Sequence, residues 1–166
     1  MLEGIPVDRA RVRLTATYAV RPDLFVGVEV NPRDDDVGPL ATWRALEETE
    51  DRPALILGTS SDRIGTPSGR AVYATASKDL ERWTGLPVAP YLGVTYGGFE
   101  HEFRVIGGVH VRWAERWTST HIHDGVNLHH TLDRSFDGGL RAGLLAVEQD
   151  GDYYFGISLG ASLGAD

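Results

Sequence analysis

Three histidines, His121, His123 and His129, lie close together with Asp124 between them. On a strand, residues two apart share a face, so His121 and His123 point the same way. The Asp124-Gly125 turn folds the chain back, and pairing about it sets His121 near His129. Three neutral imidazoles with Asp124 or Asp133 could hold Zn, Cu, Ni or non-haem Fe, the chemistry of a cupin-like metalloenzyme. No Glu falls at cupin spacing, and His130 takes the opposite phase. Histidines in such a pattern more often line a polar surface and hydrogen-bond locally, and that reading is preferred.

The other chemistry-bearing residues are weaker as sites. Arg9, Arg11 and Arg13 alternate with apolar residues and could line an anion-attracting passage, although such rows are usually neutralised by neighbouring carboxylates. Asp34-Asp35-Asp36 lacks the Gly and Glu spacing of a calcium loop and reads as a solvated charge run. Gly65-Thr66-Pro67-Ser68-Gly69-Arg70 has no Gly-Lys-Ser/Thr and no following helix, so it is an ordinary loop. There is no Gly-x-Ser-x-Gly elbow, and the absence of Cys removes disulfides, thiolate zinc sites and a thiol nucleophile together. No catalytic residue is assigned, and the chain is expected not to be an enzyme.

The elements that must position these residues repeat with period two. From Arg9 to Val20 the even positions are apolar and most odd ones polar, which is a strand with one dry face. Arg21-Pro22-Asp23 is turn chemistry, and Leu24, Val26, Val28 and Val30 resume the alternation. Residues 31–51, with Pro32, Gly38-Pro39 and many carboxylates, read as a long acidic loop. Strands follow at 53–60, 70–77, 88–96, 102–113, 117–123, 126–134, 139–148 and 153–163, joined mostly by short Gly- or Asp-bearing turns. The expected fold is all-β: an up-and-down antiparallel β-barrel of about ten strands, forming a single domain over residues 1–166. Closing the sheet hides its edges.

Periodicity alone does not assign inside from outside. A soluble barrel turns its apolar face inward and a membrane barrel turns it outward. The companion face carries Arg9, Arg11, Arg13, Glu29, Arg104, His110 and Arg112 among Gly and Ser. Mixed charges and glycines suit a narrow, ion-paired lumen, and these seven are the candidate lumen-lining residues. Trp83, Trp113, Trp117, Tyr153 and Tyr154 near strand ends fit a membrane girdle or core plugging equally. A net charge of −8 with one Lys argues against nucleic acid, and no stretch is long and apolar enough for a membrane helix.

The run Arg52-Pro53-Ala54-Leu55-Ile56-Leu57-Gly58-Thr59, then Ile64-Gly65-Thr66, then Ala71-Val72-Tyr73-Ala74-Thr75-Ala76-Ser77-Lys78 resembles bacterial outer-membrane β-barrel proteins of the YjbH-like, exopolysaccharide-associated type. Leu92-Gly93-Val94-Thr95-Tyr96-Gly97 and Thr120-His121-Ile122-His123-Asp124-Gly125-Val126-Asn127-Leu128 extend the resemblance over residues 52–134. It implies a non-enzymatic envelope protein, structural or porin-like and linked to polysaccharide export, with a lipid bilayer or detergent as partner and polysaccharide or a small solute as ligand. Residues 1–8 do not read as a secretory signal, so an outer-membrane location implies a signal upstream. The alternatives from other classes are a soluble lipocalin-like barrel holding a small ligand and the cupin-like metal enzyme.

Overall fold

The computed structural model describes residues 1–163. Its eleven strands are β1 (Leu14–Arg21), β2 (Leu24–Asn31), β3 (Asp36–Leu46), β4 (Ala54–Ser61), β5 (Arg70–Ser77), β6 (Val88–Gly97), β7 (Glu102–Ala114), β8 (Trp117–His123), β9 (Leu128–Ser135), β10 (Leu140–Gln149) and β11 (Asp152–Ala161). They form one antiparallel sheet in sequence order, each strand bonded to its chain neighbours. Among the described residues two α-helical turns interrupt the pattern, α1 (Asp8–Arg11) before β1 and α2 (Glu81–Thr84) between β5 and β6, and a 3-10 turn at Asp137–Gly139 leads into β10. The fold class is all-β, as the alternation predicts.

Two sequence expectations are corrected. Residues 31–51 are not a loop, because β3 runs through them, with Asp36↔Asn31 and Trp43↔Leu24 marking its ladder to β2. The acidic run reads as loop because Gly38 and Pro39 break the propensity signal. Once the Asn31–Asp36 turn is made, however, Val37, Pro39, Ala41 and Trp43 alternate with Gly38, Leu40, Thr42 and Arg44. The first strand begins at Leu14, not Arg9, because Asp8–Arg11 forms a helical turn. Tertiary bonds from Arg9 override the local alternation there.

The expected closure into a barrel is incomplete. No ladder joins β1 to β11. In a meander with an odd strand count the two edge strands run parallel, so closing it directly needs the slanted bonds of a parallel pair. At one end an antiparallel segment spans the gap instead. Met1 and Ile157 exchange backbone bonds, Glu3 N–H donates to Phe155, and Leu2 N–H donates 2.9 Å to the Arg11 carbonyl just before β1.

The sheet curls strongly at that same end. Ile64, in the loop between β4 and β5, packs with Leu145 and Val147 of β10 and Tyr154 of β11 around Leu2 and Ile5. Ile5 is fully buried in this small apolar cluster, and Ala54, Ala71 and Val111 are buried elsewhere along the sheet.

Elsewhere the polarity of the two faces is the reverse of a water-soluble barrel. Ladder partners place Leu14, Val28, Pro39, Val72, Leu92, Val94, Val105, Leu132, Leu144, Ile157 and their neighbours on the convex face. Phe103 is 78% and Leu159 80% exposed there, whereas Glu29 on the concave face is 0% exposed. The concave face is crowded, and glycines make room for its larger side chains. A Cβ on Gly58 would overlap the Tyr73 hydroxyl, and one on Gly143 would overlap the Asp133 carboxylate. Gly58→Val should therefore displace Tyr73 and destabilise the fold by about 1–3 kcal/mol. Thermal unfolding followed by circular dichroism measures this, and an unchanged midpoint would contradict the crowding.

Candidate functional site

The concave face encloses a cavity of about 650 Å³ whose walls are contributed by β3 to β9. Its floor lies at the curled end, where α1 meets the β4–β5 loop and the β6–β7 turn reaches that loop through Glu100 and Arg63. Arg9 anchors this floor. Its side chain is buried, with Nε donating 2.9 Å to the Thr66 carbonyl and Nη2 donating to Thr66 Oγ1 and to the carbonyls of Arg63 and Asp62 at 2.6, 2.7 and 3.1 Å. Burial lowers the guanidinium pKa, against the pull of Glu29, Asp62 and Asp36. The helical turn that carries Arg9 thus pins the β4–β5 loop across the end of the lumen.

Above the floor the charges are paired. Arg13 Nε donates 2.8 Å to Glu29, Asn31 bridges Glu29 and Asp36, and Arg70 donates 2.8 Å to Asp36. Glu100, in the β6–β7 turn, lies between Arg63 at 2.6 Å and Arg104 at 2.9 Å. The bond from Arg63 is the strongest influence on Glu100 and, with Arg104, holds its carboxyl below the usual carboxylate range against the effect of burial. Asp124 accepts the amides of Val126 and Asn127 on one oxygen and meets His129 Nε2 at 2.7 Å with the other. Burial pushes Asp124 upward, but the His129 bond and the two amides outweigh it and keep the carboxyl low.

The seven candidate lumen residues divide into three groups. Arg13, Glu29, Arg104 and His110 do face the concave side; His110 Nδ1 sits 3.1 Å from Thr120 Oγ1. Arg112 lies toward the opposite mouth, held by Asp79 and Glu81 at 2.9 and 2.5 Å. Arg9 and Arg11 belong to the α1 turn and not to a strand face, with Arg11 Nε donating to the Ile5 carbonyl. The opposite mouth is bordered by the long loops 47–53 and 78–87, which the ammonium of Lys78 laces together by donating to the carbonyls of Thr49, Glu50 and Arg52.

The histidine trio does not converge. The β8–β9 ladder pairs His121 with His130 and Ile122 with His129, one residue away from the register that would oppose His121 to His129. Because side-chain direction alternates, that single step sends His129 into the lumen and leaves His121 outside. His121 instead meets His130 at 2.8 Å between Nδ1 atoms on the convex face, while His123 Nδ1 accepts the Gly125 amide at the end of β8. Among the described residues no group of three or more His, Asp or Glu is placed to hold a metal ion. Of the aromatic residues near strand ends, Trp83, Trp113, Trp117 and Tyr153 are exposed, whereas Tyr154 turns inward onto the Leu2–Ile5 cluster.

Several residues central to this site carry no distinctive sequence signal. Asp62, Arg63, Thr66 and Glu100 sit in polar loops that read as solvent-facing, and only the curl of the sheet brings them together. Tyr73 and Tyr91 were accessible to alternation, since both take the phase opposite to Val72 and Leu92. No known protein family, no curated protein and no solved structure matches the chain significantly.

The Glu100 geometry sets a pH dependence. A carboxyl held below its ordinary value of 4.5 contributes stability that is complete above that value and lost as pH falls through the lower folded pKa. Glu100→Gln should cost about 1–2 kcal/mol at pH 7 and progressively less as pH falls below the ordinary value, given that the pair is only partly buried. Thermal melts of both proteins across this window measure the difference. A gap that stays constant from pH 7 to pH 3 would refute the assignment.

Proposed function

We propose that this chain is a non-enzymatic, membrane-embedded β-barrel-type protein of the cell envelope, with a polar lumen stopped at one end by its own N-terminal segment. The single observation that carries this reading is the reversed polarity of the sheet. Leu14, Val26, Val28, Phe155, Ile157 and Leu159 face outward, while the inward positions hold Arg13–Glu29, Arg70–Asp36 and Arg63–Arg104–Glu100 ion pairs. Water leaves each such exposed side chain about 1.5–3 kcal/mol worse off than burial does. Soluble monomers rarely tolerate a continuous apolar surface of this extent.

The dimensions agree with a bilayer. A ten-residue strand such as β6, at about 3.3 Å per residue and tilted by about 40°, rises about 25 Å, the height of the apolar band on membrane barrels. Exposed Trp113, Trp117 and Tyr153 fit the interfacial aromatic positions. A soluble lipocalin-like barrel requires the opposite arrangement, with apolar residues inside. The structural or porin-like role and the link to polysaccharide rest on the resemblance of residues 52–134 alone. An outer-membrane location rests on that resemblance together with the reversed faces.

The purified chain should need detergent or lipid to remain monodisperse, and a folded monomer in plain buffer would sink the membrane assignment. The floor gives a second outcome. In a planar bilayer the native protein should pass almost no current, whereas Arg9→Ala, which removes the four bonds pinning α1 to the β4–β5 loop, should show conductance steps. Equal conductance from two equally folded proteins would mean that the N-terminal segment is not the stop.

A further inference from the structure

The lumen cavity separates two kinds of polar group. The charged residues that line it balance, with Arg13, Arg63 and Arg104 against Asp62, Glu100 and Asp124. Each is already engaged. The three arginines bond Glu29, Glu100 and Glu102, Asp124 holds His129, and Asp62 accepts the amides of Arg63 and Phe99. An added charge in this space would have to break one of these pairs or stand in the lumen without a counter-charge, which its desolvation opposes.

The hydroxyls behave differently. Thr75, Ser77 and Tyr91 line the cavity, yet among the described residues their side-chain oxygens make no hydrogen bond. Beside them stand Ile56 from β4, Ile106 from β7 and Ile122 from β8, so apolar surface enters from separate strands. A volume of about 650 Å³ lies within the roughly 300–1,000 Å³ of small-molecule sites, which typically combine an apolar lining with a few polar groups that fix orientation.

We propose that the cavity binds one uncharged small molecule that has an apolar face and hydroxyl groups. The apolar face lies against the isoleucines and the rings of Tyr73 and Tyr91. The hydroxyls pair with Thr75, Ser77 and Tyr91, and the ion pairs of the floor exclude charged molecules. The site is the same whether the convex face meets lipid or water, so this proposal goes beyond the membrane reading and does not depend on it.

The test is equilibrium dialysis of the folded full chain, in plain buffer if it is monomeric there and otherwise in lipid nanodiscs, with protein-free buffer or empty nanodiscs as the blank. The probe is 4-nitrophenyl β-glucoside, which is uncharged, and 4-nitrophenyl phosphate is its charged counterpart. Saturable binding of the glucoside is expected, with the phosphate weaker by about tenfold or more, a difference of about 1.4 kcal/mol. Ala89→Trp, at a concave position whose ladder partner is His110, should fill the cavity and abolish binding while circular dichroism stays native. Tyr91→Phe, which keeps the shape, should weaken it. No saturable binding to the native protein, equal binding of the phosphate, or unchanged binding by a folded Ala89→Trp variant would each overturn the proposal. A chain that is monomeric in plain buffer and still binds the glucoside would overturn only the membrane reading.

Discussion

The structure depends on which face of an alternating sheet is allowed to be dry. Period-two patterning makes every strand two-faced, and a curled sheet must then assign one face to a confined interior. Here the confined face received the charges. Once Glu29 and its neighbours are enclosed, each ion has to find a partner, and the interior becomes a set of pairs and hydrogen bonds separated by glycines. Among the described residues few large apolar side chains turn inward: Ile56, Ile106 and Ile122 line the cavity, and Leu2, Ile5 and Val147 cluster at one end. The large outward-facing surface follows from that assignment, and the proposed bilayer environment supplies the solvent it requires.

The second constraint is the backbone edge. Eleven strands leave β1 and β11 parallel and unpaired with each other, and an open edge in hydrocarbon costs several kcal/mol for each unsatisfied group. Met1–Glu3 satisfies part of β11 as a short antiparallel segment. The same stretch of chain then turns through α1 and places Arg9 across the floor. Edge pairing, the Leu2–Ile5–Val147 cluster and the stop of the lumen are therefore one piece of structure. A change in the first dozen residues is felt in all three.

Much of this was legible from the residues, for definite reasons. The strands after residue 53 announced themselves because tertiary contacts reinforce the alternation there, and Asp-Gly and Gly-bearing turns fix their ends. Phase alone put Arg13, Glu29, Arg104 and His110 on one face, and the curl of the sheet made that face the concave one. What failed was whatever depends on a single residue of register or on contacts distant in sequence. The four-residue Asp124–Asn127 turn pairs His121 with His130, and that one step separates His121 from His129, the less favoured reading of the trio as a metal site. β3 was hidden by Gly38 and Pro39, and α1 by an alternation that Arg9 abandons to reach Thr66. The floor formed by Asp62, Arg63, Glu100 and Asp124 exists only because the sheet curls, which no local pattern encodes.

The reversed faces can be read directly along one strand. The chain has no Cys, so single cysteines at Tyr91, Leu92, Val94 and Thr95 of β6 can each carry a fluorophore in vesicles containing nitroxide-labelled lipid. Strong quenching at Leu92 and Val94 with weak quenching at Tyr91 and Thr95 is the predicted alternation. Uniform quenching, no quenching, or the opposite phase would contradict an apolar face turned to lipid around a polar lumen.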